Sequence, residues 1–254
     1  MENGTPVQLQ PNDLGLLITL AIVGLSVRLF RTAWRMGSLP ELLVGLHFLL
    51  APIAISLSIR VARFDPAHAE ALRATISACF AVASGSLLLF GWCVFRRGVR
   101  VAKAGAWGGV LLFAWIWASD FATGAYATSS GFGLRTLMFS PYLWVFAESL
   151  HYHRIMRRRM RLGLADAVTT NRFLLFAIWT GGVVAIAILG LLGATLAQLG
   201  GGEFNEQELF SNTAILTLTR ILSLPVGISI WLTFFAPARY RRWLEQRALA
   251  LASG

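Results

Sequence analysis

Charged side chains inside apolar runs are candidates for function, because a charge in hydrocarbon costs several kcal/mol by most estimates unless it is paired or hydrated. This sequence has few of them. With a helical rise of about 1.5 Å per residue, Arg220 lies roughly 14 Å into the last apolar run, close to a bilayer midplane. Asp120 lies roughly 6 Å from one end of the fourth run on the same scale. Opposite charges and a long arginine stem allow three readings: a buried Asp120–Arg220 ion pair, an anionic ligand on Arg220, or an arginine that reaches water. Helices four and seven are not neighbours in a closed ring of seven, which counts against direct contact. Glu148 and His151 form a second candidate set, because residues three apart share a helix face and metal-binding bundles use that spacing. To this pair only His47, from the second run, would add on the same side, and helices two and five are not expected to be neighbours, so the three mark a polar inner-side site and no metal centre is expected. His153 points to another side of its helix.

Chemistry that relies on short motifs finds no support. There is no GxSxG, HExxH or phosphate-cradling glycine run. Seven-helix membrane hydrolases need three intramembrane histidines. Of the four histidines here, His68 falls in a connection and His153 at a boundary. No catalytic residue is assigned, and an enzyme is the least supported class. Cys79 and Cys93 lie fourteen residues apart in one run, about 21 Å along a helix, too far to bridge. They read as inert thiols.

The elements that must carry these residues follow from composition. Of 254 residues, 56% are hydrophobic and only 13% charged, against roughly a quarter charged in soluble domains. Seven apolar runs are predicted to span a bilayer, at about 14–30, 39–59, 74–95, 105–123, 135–153, 173–198 and 211–235, each near the length that a ~30 Å hydrocarbon core requires. They use most of the chain, so 1–254 is expected to be a single all-α polytopic membrane domain. The first run has no basic segment ahead of it and no small-residue cleavage site, so it is expected to be a retained span.

Arginine sets the orientation. Arg28, Arg31 and Arg35, then Arg96, Arg97, Arg100 and Lys103, then Arg154, Arg157, Arg158, Arg159, Arg161 and Arg172, then Arg239, Arg241, Arg242 and Arg247 fall on one side. Arg60, Arg63, Arg73 and Arg135 fall on the other. Seventeen against four puts the N-terminus outside and the C-terminus in the cytoplasm by the positive-inside rule. The net charge of +10 is thus spread between apolar runs, which argues against nucleic acid as a partner. An Arg-, Ala- and Leu-rich chain fits a bacterial inner membrane. Residues 238–251 place Tyr240, Trp243, Leu244, Ala248 and Leu251 at helical spacing against Arg241, Arg242, Glu245 and Gln246. That pattern predicts a short amphipathic helix on anionic lipid at the cytoplasmic face.

Pro52, Pro141 and Pro225 fall inside the second, fifth and seventh runs and are expected to kink them. Seven spans, an outside N-terminus, three kinked helices and a surface helix after the seventh resemble the heptahelical receptors and rhodopsins, across the whole chain but as architecture. The motifs depart from that pattern: no acidic residue precedes Arg96 at the end of helix three, no Asn-Pro pair stands in helix seven, and Cys79 has no outer-loop partner. A retinal Schiff base needs a lysine in helix seven, and the sole lysine, Lys103, lies in a connection. No covalent retinal is therefore expected, while a non-covalent lipid or polyene remains compatible. The run Gly163-Leu-Ala-Asp-Ala-Val-Thr-Thr-Asn-Arg-Phe173 resembles runs in uncharacterised bacterial seven-helix proteins. These features favour a receptor or sensor that binds a small ligand among its helices and signals to a cytoplasmic or membrane partner, or acts as a homo-oligomer. The alternatives are a transporter or channel for a small, possibly anionic solute, and a membrane assembly subunit.

Overall fold

The computed structural model describes residues 11–58, 66–123, 136–199 and 213–252. Eight α-helices and one 3-10 turn account for nearly all of them, with no strand among the described residues. The helices are α1 (Pro11–Met36), α2 (Leu39–Ser58), α3 (Pro66–Phe95), α4 (Arg100–Thr123), α5 (Ser140–Arg161), α6 (Ala167–Leu199), α7 (Thr213–Phe235) and α8 (Ala238–Ala252). Five carry apolar stretches long enough to cross a membrane: Leu39–Ser58, Ala71–Phe95, Arg100–Thr123, Ala167–Gly193 and Thr217–Phe235. The chain is therefore a helical protein of membrane type. In α1 part of the apolar run, at residues 14–19, has side chains outside the described residues. α5 starts after its predicted span does and ends in Arg157-Arg158-Arg159-Met160-Arg161, which lowers its mean hydropathy.

The chain forms two compact units, residues 1–131 and 132–254. In the first, α1 packs on α2, α2 on α3 and α3 on α4. Two turn devices make the α1–α2 hairpin. Gly37 sits at φ +60°, where a side chain would be strained, and the Ser38 amide reaches back to the Ala33 carbonyl at 3.1 Å, as in a Schellman cap. Ser38 then opens α2, its hydroxyl donating to the Glu41 carboxylate in a Ser-x-x-Glu start. Between α3 and α4 the approach is close at Gly85, where a Cβ would lie 3.4 Å from Val110, and at Gly109, where it would collide with Leu88. Trp117 Nε1 donates to the Ala74 carbonyl at 3.2 Å. These pairings run in opposite directions along the chain, so α3 and α4 are antiparallel.

In the second unit α6 is central, with α5 and α7 on its sides and α8 against α6 and α5. Adjacent glycines make this possible: a Cβ on Gly181 would press on Phe146 of α5 at 2.9 Å, and one on Gly182 would collide with Val226 of α7. Small residues permit this approach where apolar helices gain nothing from leaving lipid. Pro52 and Pro225 lie inside their helices. Pro141 does not: it occupies the first turn of α5, directly after the 3-10 turn Leu137–Phe139. Its missing N–H costs nothing there, so it starts the helix instead of kinking it.

Candidate functional site

The candidate residues divide between the two units. Asp120 is 2% exposed and ends the stripe Ala106, Phe113, Ile116 that α4 buries. Trp117, one turn earlier on α4, bonds to Ala74 of α3, one turn from Ser77. Ser77 is also buried, and its hydroxyl makes no hydrogen bond. Arg220 belongs to α7 in the other unit, and its side chain lies outside the described residues.

His47 is buried in α2, with Nδ1 3.0 Å from the Ala83 carbonyl of α3. A carbonyl can only accept, so Nδ1 carries the proton and the ring ties α2 to α3. The same carbonyl also accepts the Ser86 hydroxyl at 2.8 Å. Glu148 and His151, three apart on α5, differ in environment. Glu148 is 8% exposed and accepts from Trp144 Nε1 at 3.3 Å, whereas His151 is exposed and meets Tyr152 edge-on. Next to Glu148, the Ser149 hydroxyl is fully buried without a hydrogen bond. Among the described residues no group of three or more His, Cys, Asp or Glu side chains could hold a metal.

The densest polar arrangement lies where α5, α6 and α8 meet. Gly163, at φ +70°, ends α5 in a full Schellman cap: the Leu164 amide donates to Arg159 O at 2.9 Å and the Gly163 amide to Met160 O at 3.0 Å. Three residues on, Asp166 starts α6, its Oδ2 accepting the Thr169 amide at 2.8 Å and the Thr169 hydroxyl at 3.0 Å. Burial alone would raise the Asp166 carboxyl. The bonds from Thr169 and Val168 and the nearby Arg172 outweigh it and hold the group below the usual carboxylate range. The first turn of α6, fixed in this way, holds both neighbours. His153 Nδ1 donates to the Thr170 carbonyl at 3.0 Å, tying α5 to α6. Asn171 Nδ2 donates to Tyr240 Oη at 2.7 Å, tying α8 to α6. Tyr152 and Phe173 pack with ring centroids 5.7 Å apart, and Tyr240 stacks on Trp243 at 5.9 Å.

From this junction an aromatic ladder runs along α6. Phe176 meets Phe234 of α7 at 5.9 Å and Trp179 at 5.9 Å, and Trp179 meets Tyr142 of α5 at 6.1 Å. Displacement of α6 would therefore be felt by α5, α7 and α8 together. The run 163–173 thus contains the Gly163 cap, the Asp166 cap and the Thr170 and Asn171 contacts. Its helix stop and start are legible as Gly and Asp signals. The Asn171–Tyr240 bond spans 69 positions and has no local signal. Comparison with protein-family models, with curated proteins and with solved structures finds no match to this chain.

Proposed function

We propose that the chain is a seven-span membrane receptor or sensor, with its N-terminus outside and its C-terminus in the cytoplasm, in a bacterial inner membrane. A small ligand binds among the helices and shifts α6, and α8 presents the change to a cytoplasmic or membrane partner. The observation that carries this reading is the junction at the start of α6, where single side-chain hydrogen bonds join it to α5 and to α8. Such bonds, each worth about 1 kcal/mol net, are strong enough to couple two helices and weak enough for a ligand's differential affinity to break. The exposed Arg241, Arg242 and Arg247 on α8 give an anionic partner or leaflet something to read. Arg220 is the proposed contact for an acidic group on the ligand, because a guanidinium keeps its proton and must be met by an anion or water.

The topology behind this reading is tested with reporters that work only in the cytoplasm. Fusions after Arg35, Lys103, Arg161 and Arg247 should be active, and fusions after Ala67, Ser129 and Gly202 silent. Activity at two of the latter three would remove the seven-span arrangement, and the receptor reading with it.

A further inference from the structure

The face of α1 that points away from α2 carries a groove of about 420 Å³ lined by Gly24, Val27, Arg28, Arg31, Thr32 and Arg35. At 100° per residue, Leu20, Gly24, Val27, Arg28, Arg31, Trp34 and Arg35 fall within one third of the helix circumference. The buried residues Leu25, Ser26, Leu29 and Ala33 take the opposite side, where Leu29 and Phe30 approach Gly45 of α2. The outward face changes character along its length. Leu20 and Val27 are exposed apolar side chains with Gly24 as a notch between them, and Trp34 is 92% exposed near the helix end. Arg28, Arg31 and Arg35 are exposed and stand one or two turns apart, over about 10 Å.

We propose that this groove is a binding site for one anionic phospholipid. Its acyl chain would lie over Leu20, Gly24 and Val27 and its phosphate among Arg28, Arg31 and Arg35. An apolar notch continued by three cations matches an amphiphile with a negative head. Arginine suits phosphate because its planar fork can donate two parallel hydrogen bonds, and an exposed tryptophan at the same level is characteristic of the headgroup region. An acidic peptide would match the cations and leave the apolar half unmet. A second copy of α1 on this face would set arginine against arginine. The site does not depend on the chain being a receptor.

The test is native mass spectrometry of the full chain, purified in mild detergent and offered vesicle lipid with equal phosphatidylglycerol and phosphatidylcholine. The wild type should keep a phosphatidylglycerol adduct in clear preference, and millimolar inorganic phosphate should not displace it. Arg31→Gln should lower retention about fivefold, the effect expected of one basic residue at an anionic headgroup. Arg28→Gln/Arg31→Gln/Arg35→Gln should abolish the preference. Gly24→Leu tests the site on an exposed position: a Cβ there meets no protein atom within 4 Å, so the helix stands while the leucine fills the notch and the adduct is lost. Arg241→Gln/Arg242→Gln on α8 should keep it. Equal retention of the two lipids by the wild type, displacement by inorganic phosphate, or wild-type preference in Gly24→Leu and Arg31→Gln would each overturn the proposal.

Discussion

Removing one oxygen atom from Tyr240 isolates the link between α8 and α6. In Tyr240→Phe the ring still stacks on Trp243, at 5.9 Å in the wild type, and Arg247 still lies 5.3 Å from the Trp243 ring. Only the bond from Asn171 Nδ2, 2.7 Å long, disappears. Both partners are half-buried, so the ordinary net value of about 0.5–1.5 kcal/mol applies, and the docking equilibrium of α8 should weaken roughly 2- to 13-fold. Amide hydrogen exchange in a lipid nanodisc reads this directly. Protection over residues 238–247 should fall by that factor, while residues 175–190 in the body of α6 keep wild-type rates. Asn171→Ala should act alike, and the double variant should be no worse than either single, because both remove one bond. Unchanged protection of 238–247 in both single variants would refute the view that this bond holds α8.

Three further outcomes follow from the packing. Gly182→Ala drives a methyl into Val226, whose β-branched side chain has one favoured rotamer in a helix. Overpacking of about 1–3 kcal/mol, less up to about 1 kcal/mol of gained helix propensity, should destabilise the fold in micellar unfolding, and adding Val226→Ala should restore it. Gly190→Ala, with nothing within 4 Å, should cost nothing. Asp166→Ala removes the α6 cap and should cost about 1 kcal/mol. Because the folded carboxyl is held below its unfolded value near 4, that contribution is complete above about pH 4 and is lost as pH falls through the folded value. The wild type and Asp166→Ala should therefore differ equally at pH 7 and pH 5 and converge in stronger acid. His47→Phe removes the bond to Ala83 O, whose other donor Ser86 stays in place. A loss of roughly 0.6 kcal/mol is expected for an interhelical bond in a membrane, measured as reduced resistance to denaturant.

Helix positions were legible in the sequence because apolar run length carries them. The runs at 39–59 and 105–123 lie within one or two residues of Leu39–Ser58 and of the C-terminal end of α4. Others are shorter than their helices, since α1 and α5 continue into arginine-bearing turns where hydropathy no longer marks the helix. Pro141 reads as a kink only while the start of the helix is unknown. The site was less legible. Glu148 and His151 share a face by spacing alone, yet which part of that face is buried depends on the packing of α6 against α5. His47 has a partner set by the α2–α3 register, and Tyr240 one set by the docking of α8. Neither register is written in local periodicity. Arg220, the most conspicuous charge in the sequence, has its side chain outside the described residues.

In the proposed receptor a bound small molecule controls the α6–α8 junction. The measurement is native mass spectrometry of the chain released from its own membrane, followed by hydrogen exchange on the same sample before and after extraction of its bound small molecules. A mass above that of the polypeptide should persist in Gly24→Leu and be lost in folded Arg220→Leu, and extraction should change protection over residues 167–173 and 238–247 together. A bare polypeptide mass in Gly24→Leu, or exchange at both segments indifferent to extraction, would contradict it.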